Sequence, residues 1–285
     1  MGININITAS GDKGACKAEA SGSIQHIVTD QERKTFGIND GALKNAIGKY
    51  FGKNPNDAYV HSPTPWGDLY KTYGWAQVQT VLVPVRAEIL GITSVPDILA
   101  TKTFSNKSTV KGTFNASISQ EITNTVGSTW STGGTLSISE AIEVGVNIEI
   151  FSAKSTTTIG YSQSWDVGGS KSKSSTVGSE SGVSVELDPG QSIEAQLSAS
   201  KGTMKVRVTY KAVLQGSVAV NYDPTFKDHH FWALPISNIM SAGGMSNEVI
   251  STEDFDIGFY SNGKVEIKNT DGTVIRNIVL ADRRA

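Results

Sequence analysis

A single cysteine, Cys16, rules out an intrachain disulfide in this 285-residue sequence, and no Cys-x-x-Cys or His-x-x-x-His spacing offers a zinc site. Histidine is nearly as scarce: His26, His61 and the adjacent His229 and His230 supply no partners for a metal centre or a nucleophilic triad. A packed strand end beside Phe231 and Trp232 accounts for the His pair, and no catalytic residue, metal or cofactor is expected. Gly168-Gly169 and Gly243-Gly244 lack the Lys-Ser/Thr that a phosphate loop needs, so they read as turns. Charged residues reach only 18%, with a formal net charge of -2 and no basic cluster beyond Lys171 and Lys173. The electrostatic footprint of a nucleic-acid partner is missing. Long apolar runs are absent too: nothing approaches the roughly 20 residues of a transmembrane helix, so membrane entry would have to use strands or a surface helix. The first residues lack the charged start and apolar stretch of a secretory signal, as a processed chain also would. A soluble product, secreted or released from its producing cell, is the expectation.

Proline is the most informative gap. Between Pro96 and Pro189 there is none, so every backbone N–H there is free for sheet pairing. Residues 101–185 contain 32 Ser or Thr, a bias shared by disordered linkers and by β-structure. Periodicity separates the two. Phe114, Ala116, Ile118, Ile122 and Val126 fall on even positions, with Thr113, Asn115, Ser117, Ser119, Thr123 and Thr125 between them; period two means strand. Val183, Val185 and Leu187, then Ile193, Ala195 and Leu197, then Met204, Val206, Val208 and Tyr210 behave alike. Asn262-Gly263 and Asp271-Gly272 are hairpin signals. The fold class is mainly β, an elongated body of long antiparallel strands spanning residues 99–285.

Residues 1–98 differ in character and read as a small N-terminal α+β head. Leu43, Ala46, Ile47, Tyr50 and Phe51 recur at helical spacing between Asn39 and Gly52. A second helix fits Thr64 as N-cap, Pro65 in the first turn and Gly74 beyond the end. Residues 78–83 and 85–90 are β-like runs separated, or bent, at Pro84. Trp66, Tyr70, Tyr73 and Trp75 suit an aromatic patch for a receptor, whether glycan, protein or lipid headgroup. Packing of the head's own core explains them as well.

The strongest alternation runs from residue 136 to 150. Leu136, Ile138, Ile142, Val144, Val146, Ile148 and Ile150 share one face, while Glu143, Asn147 and Glu149 lie on the other. One face suits lipid and the other a water-filled lumen, as in transmembrane barrels; a half-buried soluble sheet carries the same pattern. Residues 142–150, tilted as in a barrel, span about 23 Å against an apolar band of about 25 Å. Glu140 breaks the apolar face and is placed at the rim, while Ile150 and Phe151 are placed at the tip. The return arm brings Ile159, Tyr161 and Trp165 to one side. Because backbone groups in lipid must all be hydrogen-bonded, such a hairpin enters only as part of a closed ring from several subunits.

The stretches VPVRAEILGITSVPDILATKTFSNKST (83–109), NTVGSTWSTGGTLSISEAIEVGVNIEI (124–150), YSQSWDVGGSKSKSSTV (161–177) and LDPGQSIEAQLSASKGTMKVRVTYKAVLQGSV (187–218) resemble, in order and spacing, the aerolysin superfamily. The likeness is to its epsilon-toxin and mosquitocidal-toxin branch, with hydralysin-like and spherulin or yolk-protein relatives, and covers roughly residues 78–280. It implies an aerolysin-like body and a head that carries receptor binding. It also implies an insertion tongue at about 130–166, a homo-oligomer in the pore form and a target-cell membrane as partner. It leaves open a non-lytic storage or structural protein of the same shape, or a carbohydrate-binding module built on the head aromatics.

Overall fold

Nearly everywhere the sequence alternates, the chain is a strand. The computed structural model describes residues 2–131, 136–149, 156–165 and 167–280. Strands β1 (Ile3–Ala9), β2 (Lys17–Gly22) and β3 (Ile24–Ile27) are followed by α1 (Asp30–Thr35), α2 (Asp40–Phe51), β4 (Asp57–Tyr59) and α3 (Pro65–Tyr73). Next come β5 (Gln79–Ser105), β6 (Gly112–Trp130), β7 (Ile142–Glu149), β8 (Thr156–Gln163), β9 (Gly169–Leu187) and β10 (Ser192–Gln215). The chain closes with β11 (Ser217–Phe226), β12 (His229–Pro235), α4 (Ile236–Gly243), β13 (Val249–Asn269) and β14 (Val274–Val279).

The body is a sheet in the order β3-β5-β10-β13-β6-β9, with β14 also on β13. Every pairing in it is antiparallel. Long strands form because side chains of one parity are buried: Phe255, Ile257, Phe259, Val265 and Ile267 on β13, Met204, Val206, Val208 and Tyr210 on β10. Proline in β5 is tolerated at register shifts or along its outer side; Pro84 sits where the β5–β10 register slips between Thr209 and Tyr210. The two β-like runs expected around Pro84 are therefore one continuous strand.

Asn262-Gly263, expected as a hairpin turn, instead lies inside β13. Asn262 has φ 54°, and the register shifts opposite it, between Ser198 and Ser200. This bulge moves the inward face of β10 from odd-numbered Ile193, Ala195 and Leu197 to even-numbered Met204 and Val206. Asp271-Gly272 does make a hairpin, between β13 and β14: the Asn269 N–H donates to the Thr273 carbonyl at 2.8 Å and Gly272 has φ 86°.

The head forms around a three-stranded sheet, β12-β11-β4, with α2 packed on α4. Helix α2 starts where the Asn39 side chain accepts from the Ala42 N–H and stops at left-handed Gly52. In α3 the expected ends hold, with Thr64 as N-cap, Pro65 in the first turn and left-handed Gly74 as C-cap, but Trp66, Gly67 and Asp68 all have positive φ, and the Thr64 hydroxyl accepts from the Leu69 N–H at 2.8 Å instead of making the regular cap bond. The sequence boundary at residue 98 is not a structural one. Residues 79–105 are a body strand, the head draws in β11, β12 and α4 from beyond residue 216, and β1 and β2 belong to neither. These two N-terminal strands join β7 and β8 in a third sheet, ordered β2-β1-β7-β8. Local patterning carries no information about such long-range partners.

Gly202 shows how tightly the body is packed. It pairs with Phe259 across β10 and β13, whose ring occupies the space where a Cβ would lie, 2.6 Å from its nearest carbon. Replacing Gly202 with Ala should lower the unfolding free energy by about 1–3 kcal/mol, read from urea denaturation, because the buried Phe259 ring has to move.

Candidate functional site

The hairpin β7–β8 sits in the third sheet between two environments. Strand β1 runs parallel to β7, in the register Ile3↔Ile142, Ile5↔Val144, Ile7↔Val146 and Ala9↔Ile148. These eight side chains are all at most 2% exposed. On the other side β8 pairs antiparallel, with Ile159 opposite Val146 and Tyr161 opposite Val144. Ile159 and Trp165 are buried, as are Leu136 and Ile138 on the approach, and Tyr161 is half-buried. The opposite face is polar. Glu143 is exposed and accepts from the Ser162 hydroxyl at 2.5 Å, and Asn147 accepts from the Thr158 hydroxyl at 2.8 Å; Glu149 is half-buried. Ile150 and Phe151 lie outside the described residues.

Both roots of the hairpin end on buried carboxylates. On the approach, fully buried Glu32 accepts from the Ser137 N–H at 3.2 Å, the Thr29 N–H at 2.9 Å and the Thr80 hydroxyl at 2.9 Å. His26 Nε2 completes the set at 2.8 Å, and Thr29 with Glu32 forms the capping box of α1. The hydrogen bond to Glu32 raises the His26 pKa, with burial opposing it and the Glu32 and Glu140 charges adding to it. Burial works to raise the Glu32 pKa, but the hydrogen bonds from His26 and Thr29 outweigh it and leave it lowered.

On the return, Gln163 Nε2 donates to Glu253 Oε1 at 2.5 Å and the Tyr210 hydroxyl donates to Oε2 at 2.8 Å. Glu253 is fully buried, and that burial pushes its pKa up to about 7 against the pull of these hydrogen bonds. Trp165 packs on Trp130 with ring centroids 4.4 Å apart, and both rest on Tyr210 at 5.3 Å. The indole N–H groups of Trp130 and Trp165 find no acceptor among the described residues. An unpaired buried donor costs about 1–3 kcal/mol, which weakens the packing of this root.

Glu32, Glu253, Gln163 and the β1 isoleucines were not singled out by sequence reasoning. Signals existed: Ile3-Asn4-Ile5-Asn6-Ile7 alternates, Thr29-x-x-Glu32 has capping-box spacing, and Glu253 occupies the inward register of Phe255 and Ile257.

The four head aromatics do not form one patch. Tyr70 is 2% exposed, its hydroxyl lying 2.7 Å from the Tyr59 carbonyl and 2.9 Å from that of Ser217; burial raises its pKa. It ties α3 to the sheet, so its expected role at a receptor surface is corrected to one in the head core. Trp66 is 47% and Tyr73 52% exposed. Trp66 leans on Tyr59 and Phe231, and Tyr73 stacks on Trp75 at 4.8 Å. Among the described residues no group of three or more His, Cys, Asp or Glu is placed to hold a metal ion, and no helix is long and apolar enough to cross a membrane.

No protein-family model matches the chain. It is 37% identical over 269 residues to U-megalopygitoxin(8)-Mc8 of Megalopyge crispata, covering 94% of this chain and 92% of that one. To U-megalopygitoxin(8)-Mo12 of Megalopyge opercularis it is 37% identical over 272 residues, covering 95% and 93%. Among solved structures, parasporin-2, a Bacillus thuringiensis toxin that recognises cancer cells, superposes with a TM-score of 0.61 at 14% identity, over 91% of this chain and all of that one.

Glu32→Gln should lower the unfolding free energy by about 1.5–3 kcal/mol. It should also speed amide exchange at Ser137. The raised His26 pKa makes that pair's contribution full below the ordinary value of 6.5 and lost as pH climbs through the raised one. The stability difference between wild type and His26→Gln, followed by denaturation from pH 5 to 9, should therefore shrink with rising pH.

Proposed function

The chain belongs to the U-megalopygitoxin(8) family and has the aerolysin-like fold of β-pore-forming toxins, and from that premise we propose that it forms pores by releasing β7 and β8 into a target membrane. The observation that carries this reading is the two-sidedness of the hairpin. Ile142, Val144, Val146 and Ile148 are wholly enclosed by protein, so moving them into hydrocarbon exchanges one apolar environment for another at little cost. Glu143 and Asn147 already face outward and would keep water in the lumen of a barrel.

Leaving β1 breaks a seven-residue ladder, each hydrogen bond worth about 0.5–1.5 kcal/mol net in water and several in lipid. Only a closed ring of hairpins restores every one of them, so the active form is a homo-oligomer. Tyr161 and Trp165, toward the base of the return arm, fit the aromatic girdle at a barrel's rim. Receptor binding falls to the exposed head aromatics Trp66 and Tyr73 and to half-buried Trp75 stacked on Tyr73, whose flat faces suit a glycan, a protein side chain or a lipid headgroup. The chain acts as a secreted or released soluble protein and then at the target-cell membrane, with no enzymatic step.

A disulfide across the β1–β7 register, Thr8→Cys with Asn147→Cys in a Cys16→Ser background, should abolish dye release from cells or liposomes when oxidised and restore it on reduction. Equal release in both states rules out insertion. Glu143→Lys, on the exposed polar face, should leave the soluble fold intact and shift single-channel selectivity away from cations. An unchanged selectivity would place that residue outside the lumen.

A further inference from the structure

The two carboxylates at the hairpin's roots are built differently. Glu32 has a cationic partner available in His26. Glu253 has none among the described residues: it takes hydrogen bonds from the amide of Gln163 on β8 and the hydroxyl of Tyr210 on β10, with the Ser128 hydroxyl of β6 also within reach. Ser128 on β6 reaches the same Gln163 from the other side, donating to Oε1 at 3.2 Å. The adjacent cation, Arg207, is held in a two-pronged pair by Asp254 at 2.6 and 2.7 Å, and Asp254 points away from Glu253 because successive residues of a strand face opposite sides. Glu253 is thus fully buried, opposite Trp130 in the strand register and beside the Tyr210–Trp130–Trp165 ring cluster, and the strand that supplies the Gln163 hydrogen bond is the strand proposed to leave the body.

We propose that Glu253 is the positioning residue of the return root, holding Gln163 and Trp165 docked while its carboxyl is neutral and loosening them once it is ionised. The inference rests on the reading of β7–β8 as the element that leaves the body. When Gln163 and Trp165 depart, water reaches Glu253 and its ordinary acidity returns. The docked state therefore binds the proton more tightly than the released one. Docking is strongest below the usual carboxylate range, weakens as pH rises toward about 7, and stays weakened above it.

The groups facing Glu253 do not blur this window. Tyr210 and Tyr161 are pushed up by burial, Tyr161 to about 12, and remain neutral. Asp254 is held low by the Arg207 guanidinium and remains charged. At the approach root His26 faces Glu32 and feels Glu140, and its raised pKa works in the same direction, since that pair is also weakened on the alkaline side. Mildly acidic conditions, above the range in which Glu32 takes up its proton, keep the hairpin stowed, and neutral to alkaline conditions arm it.

Hydrogen exchange of the β7 and β8 amides in the full-length soluble protein tests this, comparing wild type with Glu253→Gln at matched pH so that intrinsic exchange chemistry cancels. The ratio of opening in wild type to opening in the variant should be within a few-fold of one at pH 5. It should grow by on the order of a hundredfold by pH 8.5, as a shift of this size requires. A ratio that stays flat from pH 5 to 9 overturns the proposal. Carboxyl titration of Glu253 by carbon NMR needs no variant: a midpoint near 7 supports the assignment and one in the ordinary carboxylate range sinks it. Dye release from anionic liposomes is recorded in parallel. A pH-dependent exchange ratio without release leaves the Glu253 device standing and removes the pore reading, whereas release with a flat ratio does the reverse.

Discussion

Every hydrogen-bonding group along β7 must have a partner wherever β7 happens to be, and this requirement organises the molecule. In this structure the partner is β1, laid parallel to β7 over seven residues, with β8 on the other side. An unpaired strand edge carrying Ile142, Val144, Val146 and Ile148 would template aggregation, and an unshielded apolar face of that size would do the same. The N-terminal hairpin removes both hazards at once: β1 supplies the ladder, and Ile3, Ile5 and Ile7 complete the apolar face. What the sequence places first in the chain is structurally a cover for what it places in the middle.

Features set by near neighbours were legible in the sequence. The even parity of β6, the alternation over 142–149, the Asn39 start and Gly52 stop of α2, and the Asp271-Gly272 turn follow from side-chain spacing and backbone conformation within a few residues. Features set by distant neighbours were not. Asn262-Gly263 has the composition of a hairpin turn, but with β10 alongside on one edge the chain absorbs its left-handed residue as a bulge and runs on. Tyr70 has the composition of a binding aromatic, yet left-handed Trp66, Gly67 and Asp68 turn the helix so that its hydroxyl reaches Tyr59 and Ser217. Of the candidate hairpin, the apolar and polar faces could be read in advance. Its fastenings at Glu32 and Glu253 could not, since each joins residues at least 90 positions apart.

Those fastenings make the sheet uneven in strength. The middle of the hairpin is held by tightly packed aliphatic side chains whose contribution does not depend on solvent conditions near neutrality. The roots are held by polar contacts that are incomplete: Nδ1 of His26 and the indole N–H groups of Trp130 and Trp165 lack acceptors among the described residues. If the hairpin is released as proposed, it would part first where its ends meet the body, and the apolar centre would follow once a second apolar medium is at hand.

The parallel pairing of β1 with β7 has a kinetic consequence. If the hairpin leaves as proposed, β1 would be left with one naked edge and an isoleucine stripe facing nothing, a surface water tolerates badly. A molecule partly opened in this way would have two outcomes, quick re-closure or forward motion into whatever greasy surroundings stand nearby, and no comfortable resting place between them. On the proposed insertion, the shape of the cover would make the transition abrupt, so that a protomer far from any bilayer would snap shut while one already seated upon it would be carried through.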